Sequence, residues 1–464
     1  MRRMPLILAL LCPLALGVMA GPAQARPGQS VMFESPGAFQ DPAVTVPKLE
    51  ALGVSALRVN LRWYDVAPDK DARERPAGDL TDPAAYDWSR YAPMLDAAKE
   101  KGWKVILSLA GPAPRWGTEG ARDHITKPRT SDYQHFAEAA AKRFGAGVTY
   151  WSIWNEPNFR TFLMPQFVKG KPASPAIYRG LYLAGQKGVK AGSSKARVLF
   201  GETAPRAGAD GVAPLEFLRG VLCLDSKYKK TKTKCAKIAA DGYAHHPYAP
   251  PAGPFFVPGK KDDVTIGVLS RLTGALDKAA KAGAITSKLK VFLTEFGVQS
   301  YPDRSAGVPL ATQSDQRSLS ERIAWSNPRV SAFSQYLLSD DATIKSSSRT
   351  ERYPGFQSGL ETDKGKKKPA YDGFRLPLAV TYAGKSTKVT LWGLVRPAKG
   401  KTSVTVQYAT KGKAWKKLKT VTTKADTSWT FTGNNAKSRV WRVQWKDADG
   451  TTVYGSVTKA YEKP

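Results

Sequence analysis

Cysteine is scarce in this sequence, with three in 464 residues. So few thiols exclude a disulfide-built scaffold or a cysteine-ligated metal cluster. Histidine is nearly as rare: the four are His124, His135, His245 and His246, and none stands in an H-E-x-x-H pattern. No metal site is therefore expected. The chain also lacks G-x-G-x-x-G, a P-loop and a G-x-S-x-G elbow, which removes dinucleotide, nucleoside triphosphate and serine-hydrolase chemistry. Acidic residues are in short supply, 39 against 71 Lys and Arg, leaving a formal charge of +32. Such a field draws polyanions. Heptads, low-complexity tracts and short internal repeats are absent as well.

Long apolar runs are missing except at the start. Arg2 and Arg3 precede a run from Pro5 to about Ala20, and Ala23-Gln24-Ala25 follows. This pattern reads as a secretory signal peptide over residues 1–25, with the mature chain beginning near Arg26. The run is too short to span a bilayer comfortably, so no membrane span is expected in the mature chain. Cys12 lies inside the run behind Leu11, where a lipoprotein signal needs a small residue. The other two cysteines, Cys223 and Cys235, are expected to pair and brace the lysine-rich loop between them. In an exported protein this charge would serve either to meet anionic wall polymer or acidic glycan, and not nucleic acid, or for solubility alone.

From about residue 27 to 375, apolar strand-like runs alternate with helical patterns. The strand candidates are Ser30 to Phe33, Ala56 to Leu61, Lys104 to Leu109 and Val148 to Ile153, then Arg197 to Phe200, Gly242 to His245, Lys290 to Thr294 and Ser331 to Leu337. Helical stretches such as Tyr91 to Lys101, Tyr133 to Phe144, Ala176 to Ala191 and Thr265 to Ala282 fall between them. Eight such units predict a (β/α)8 TIM barrel over residues 26–376. A doubly wound sheet would want a glycine-rich turn after the first strand, where the chain has Glu34-Ser35-Pro36-Gly37. After Asp363-Lys364-Gly365-Lys366-Lys367-Lys368-Pro369 the pattern changes to period two, as in Val404, Val406 and Tyr408 or Trp441, Val443 and Trp445. This predicts a small antiparallel β-sandwich of about six strands over residues 377–464.

Two strings stand out. Trp154-Asn155-Glu156-Pro157-Asn158 follows the fourth strand candidate, and Leu293-Thr294-Glu295-Phe296-Gly297 closes the seventh. A carboxyl at the end of a buried strand is costly unless the strand opens onto a site, and barrel sites form at the carboxyl ends of strands. Glu156 and Glu295 would face each other across one mouth. A pair of carboxyls is the equipment for cleaving a glycosidic bond. Asn155 can reach a sugar hydroxyl from the same strand end, and Pro157 has no N–H to satisfy there.

Trp-Asn-Glu-Pro-Asn on the fourth strand with Thr-Glu-Phe-Gly on the seventh resembles glycoside hydrolase clan A, retaining β-glycosidases on TIM barrels. The nearest likeness is to families 39 and 5. The resemblance implies Glu156 as acid/base and Glu295 as nucleophile. It also implies Arg58, in Leu57-Arg58-Val59-Asn60, as support for the nucleophile. In His246-Pro247-Tyr248 it implies a tyrosine hydrogen-bonded to the nucleophile and a histidine near the sugar. Phe356-Gln357-Ser358-Gly359-Leu360 and Lys368-Pro369-Ala370-Tyr371 resemble the closing turn and last helix, so the likeness covers about 350 residues. Where many clan members end the eighth strand on a sugar-stacking tryptophan, this chain has Gln335-Tyr336-Leu337: either Tyr336 takes that place or the platform is missing.

Trp116, after the third strand candidate, is read either as a sugar-stacking ring or as rim packing, and Trp63 likewise. Trp392, Trp415, Trp429, Trp441 and Trp445 would form either a carbohydrate-binding face or the core of the sandwich. His245 points away if His246 faces the site. The expectation is a secreted, monomeric retaining β-glycoside hydrolase acting on a polysaccharide or oligosaccharide without a cofactor. Its rival is a non-catalytic wall- or polysaccharide-binding protein with a basic accessory domain.

Overall fold

The structure, a computed structural model, describes residues 29–208, 211–231, 233–410, 412–436 and 438–463. The expected signal peptide and Cys12 lie outside the described residues. Eight parallel strands close into a barrel: β1 (Ser30–Glu34), β2 (Ala56–Arg62), β3 (Lys104–Ala110), β4 (Tyr150–Ile153), β5 (Val198–Thr203), β6 (Gly242–His245), β7 (Val291–Leu293) and β8 (Val330–Tyr336). Each pairs with its sequence neighbours, and β8 closes the ring on β1 with Ser30 opposite Ala332. The expected TIM barrel is borne out.

Helices α1 (Pro42–Ala51), α2 (Ala92–Glu100), α3 (Thr130–Phe144), α4 (Ser174–Gly192), α5 (Pro214–Val221), α6 (Leu269–Lys281), α7 (Leu310–Ser326) and α8 (Pro369–Arg375) follow the strands in turn. Local chemistry sets their ends. Asp41 accepts a hydrogen bond from the Val44 N–H at the start of α1, and Pro42 supplies a preset φ. Helices α3 and α4 approach closely because α4 presents glycine. A Cβ at Gly188 would lie 2.2 Å from the Gln134 carbonyl, and one at Gly192 2.5 Å from that of Glu138.

Strand alternation sorts the side chains into two cores. Outward residues such as Phe33, Leu57, Val59, Leu107 and Ile153 pack under the helices. Inward residues at the strand starts form a separate apolar layer across the barrel: Met32, Ala56, Ile106, Tyr150, Leu199, Ala244, Phe292 and Ala332, one from each strand. This is the barrel floor.

The sandwich follows. One sheet runs β13 (Trp429–Asn434), β10 (Lys388–Gly393), β9 (Leu378–Ala383), β17 (Tyr461–Lys463); the other runs β12 (Lys416–Thr422), β11 (Ser403–Thr410), β14 (Arg439–Lys446), β15 (Thr452–Tyr454), with β16 (Thr458–Lys459) also on β14. Nine strands replace the expected six, because the last three are too short to show a period. The β9–β17 pair is parallel, unlike the rest. Trp429, Trp441 and Trp445 sit in the sandwich core, so for them the packing alternative holds. Trp392 packs on Trp325 and Leu319 of α7, joining sandwich to barrel. Trp415 alone of the five lies outside both clusters, with the Arg442 guanidinium 4.2 Å from its ring.

The same junction holds buried charge. Glu321 on α7 pairs with both Arg317 and Arg396, and each guanidinium lies 4.4 Å from the Phe374 ring. Cys223 and Cys235 form the expected disulfide. Among the described residues, no helix is long and apolar enough to cross a membrane.

Candidate active site

Two residues beyond the floor, each strand turns a polar side chain inward: Glu34, Arg58, Ser108, Ser152, His246, Thr294 and Ser334, all buried. Strand β5 keeps step only through an irregularity. Its register shifts between Gly201 and Thr203, with φ of 117° at Gly201 and 50° at Glu202. A Cβ at Gly201 would come within 2.6 Å of the Ala244 carbonyl, so glycine is needed there. The extra residue turns the fully buried Glu202 into the polar layer.

Arg58 organises this layer. Its Nη1 lies 2.5 Å from both Glu34 Oε2 and Glu295 Oε1. Nη2 donates to Asn155 Oδ1 at 2.7 Å and Glu202 Oε2 at 3.0 Å, and Nε donates to Ser108 Oγ at 3.2 Å. One planar donor thus fixes groups from β1, β3, β5 and the ends of β4 and β7.

Glu156 leaves the end of β4 on a tight turn, with φ of 68° at Trp154 and 39° at Glu156, and its N–H donates to the Glu202 carbonyl. His246 bridges the carboxylates. Nδ1 is 2.8 Å from Glu156 Oε1 and 3.6 Å from Glu295 Oε2, while Nε2 is 2.7 Å from Glu202 Oε2. The Tyr248 hydroxyl donates to Glu295 Oε2 at 3.1 Å, and Thr294 Oγ1 donates to Glu202 at 3.0 Å.

Burial and charge pull these groups apart. Burial opposes a charge on His246, yet Glu295's charge and the bonds to Glu156 and Glu202 outweigh it and lift the imidazole to about 10. At neutral pH both ring nitrogens therefore donate. Burial would also raise Glu202, but Arg58 and His246 hold it down at about 2. Glu34 goes the other way: burial lifts it to about 8 against the pull of Arg58, helped by the charge of Glu295. The fully buried His245 falls to about 4 by desolvation, and it bonds Thr203 Oγ1 and the Val264 carbonyl, away from the cluster.

A pH dependence follows. Folded His246 binds its proton more tightly than the unfolded residue, whose value is 6.5, so its stabilising contribution is complete below pH 6.5 and lost as pH rises through about 10. Glu202 contributes above 4.5 and loses its part as pH falls toward 2. The Tm gap between wild type and His246→Asn should be widest below pH 6.5 and close toward pH 10. Thermal melts across pH check this; a gap that widens with pH would contradict it.

Arg58, Asn155, Glu156, His246, Tyr248 and Glu295 are thus brought into one cluster. Trp116 is not. Its ring is fully buried, 5.6 Å from the equally buried Trp63, and its indole N–H donates to the Pro68 carbonyl. The loop after β3 folds inward, so rim packing holds for both rings. Glu34 and Glu202 were not foreseen. Glu156, His246 and Glu295 are also the one trio of metal-type ligands that meet among the described residues, with ligand atoms within 4.8 Å of one another.

No family model matches the chain. Among solved structures it is similar to a glucosidase from Croceicoccus marinus, at 12% identity over 94% of this chain and 97% of that one, with a TM-score of 0.53. It is also similar to a family 39 glycoside hydrolase from the gut symbiont Bacteroides cellulosilyticus WH2, at 15% identity over 88% and 81%, with a TM-score of 0.51. At these identities the likeness is one of fold, and the fold is the barrel that the resemblance to clan A implied.

Proposed function

We propose that the protein is a retaining β-glycoside hydrolase acting on a polysaccharide or oligosaccharide. The observation that carries this reading is the placement of Glu156 and Glu295, from which one carboxylate oxygen each lies within 4.8 Å of the other. That approach fits the roughly 5–5.5 Å carboxyl spacing of retaining enzymes and not the roughly 6.5–9.5 Å that leaves room for an inverting water. In the first step Glu295 attacks the anomeric carbon, the glycosidic C–O bond breaks, and Glu156 gives its proton to the departing oxygen. In the second, water attacks the same carbon, Glu156 takes a water proton, and the bond to Glu295 breaks. Arg58 and Tyr248 hold both nucleophile oxygens toward the mouth. Arg58 and His246 place two basic side chains among Glu34, Glu156, Glu202 and Glu295.

An apolar leader and a disulfide support secretion. The 377–464 segment has 17 Lys and Arg against 4 Asp and Glu, a composition suited to an anionic glycan. The test of mechanism is the anomer released first from an aryl β-glycoside, followed by NMR. The β-anomer should appear before mutarotation, whereas an initial α-anomer would overturn the retaining assignment.

A further inference from the structure

Two cavities border the polar cluster. One, of about 890 Å³, is lined by Glu156, Phe159, Arg206, Tyr248, Phe256 and Phe356. The other, of about 220 Å³, is lined by Glu34, Asn60, Asp65, Arg90, Tyr91 and Tyr336, together with Arg58. Acid chemistry gives the cleft a direction. The group that protonates the leaving oxygen borders the larger cavity, so the leaving part of the substrate lies there. The nucleophile lies between the two, bonded by Arg58 of the smaller and Tyr248 of the larger, so the sugar being transferred extends from it on the side away from the acid, toward the smaller.

Two residues that line the smaller cavity, Glu34 and Asn60, each carry a polar atom that nothing satisfies. Glu34 Oε1 and Asn60 Oδ1 are buried without a hydrogen-bond partner, a state that costs free energy in an empty site. Both stand on strand ends that face the barrel mouth. Asn60 Oδ1 can only accept, so it wants a donor. Glu34 Oε1 donates or accepts according to its proton. A sugar hydroxyl does both. The volume is below the roughly 300–1,000 Å³ usual for drug-sized ligands, which suits one ring and not two. Arg62 and Arg90 both pair with Asp65 along the outer side, at 3.6 and 3.5 Å.

We propose that this cavity seats a single non-reducing terminal sugar, with one hydroxyl on Glu34 Oε1 and another on Asn60 Oδ1, so that the protein removes terminal residues one at a time. The inference rests on the glycosidase reading above and goes beyond it in setting the direction of the cleft, the length of the bound glycone and two substrate-binding residues. The probes are a panel of p-nitrophenyl β-D-monoglycosides (glucoside, galactoside, mannoside, xyloside, glucuronide) and reducing-end-labelled β-glycan oligosaccharides.

Wild type should cleave at least one monoglycoside, and the labelled oligosaccharides should shorten by one ring per event from the unlabelled end. On the best monoglycoside, Asn60→Ala should lower kcat/KM about 10- to 100-fold, the value of one lost hydrogen bond in a buried site. Most of that loss should fall on KM, and Asn60→Asp, which keeps an acceptor there, should restore part of it. Internal fragments from the oligosaccharides with no cleavage of any monoglycoside would overturn the single-ring seat and leave the glycosidase reading intact. An unchanged KM in folded Asn60→Ala would overturn the residue assignment. Failure on every glycoside and glycan would remove both readings together.

Discussion

Glu295→Ala should abolish turnover of an aryl β-glycoside, with kcat falling by about 10⁴-fold or more, ~5.5 kcal/mol on the barrier. The residue is the attacking group in this mechanism, and water cannot take its place without a positioned base on the opposite face. Added azide, small and anionic, should occupy the vacated space and restore part of the rate, giving a glycosyl azide of inverted configuration. Arg58, Tyr248 and Thr294 remain to keep the pocket in shape, so the variant should melt as a folded protein. Full residual activity, or an azide product of retained configuration, would sink the nucleophile assignment.

Arg58→Ala should have the largest effect on stability. Its guanidinium has no exposed side chain and faces Glu34, Glu202 and Glu295 at once. Taking away one partner of a buried ion pair leaves a carboxylate uncompensated and costs ~3–5 kcal/mol. Urea unfolding with tryptophan fluorescence measures this. Arg58→Lys should recover little, because one ammonium cannot span Glu34 and Glu295 on one side and Asn155 and Glu202 on the other. A loss below ~1 kcal/mol in the alanine variant would mean that the surrounding carboxyls simply take up protons. The pH dependence of its stability would then show that directly.

Much of this was legible in the sequence, and the exceptions have physical causes. Eight apolar runs and their spacing were enough for the barrel, and Glu156 and Glu295 announced themselves as carboxyls placed right after such runs. The same rule applies to Glu34, which ends Val31-Met32-Phe33 in the same way. Glu202 was hidden for a different reason. Counting by twos along Leu199, Gly201 and Thr203 turns Glu202 outward, and only the register shift at Gly201 brings it in. Period two cannot signal its own interruption, although a glycine next to a glutamate in an apolar strand hints at one. Trp116 shows the opposite limit. An aromatic in a barrel loop has the composition of a sugar platform, and whether its ring meets solvent depends on how the loop folds back.

The apolar floor from Met32 round to Ala332 makes the barrel a vessel open at one end. Water and protons reach the carboxylate cluster past the strand ends at the open mouth. In the proposed mechanism a glycone and its leaving group fill that opening, and the protons of the cluster then pass only to or from the substrate. The proton that Glu156 would give away in the first step would be replaced by one from the hydrolytic water. That exchange would wait on the departure of the leaving group, which opens the mouth to water.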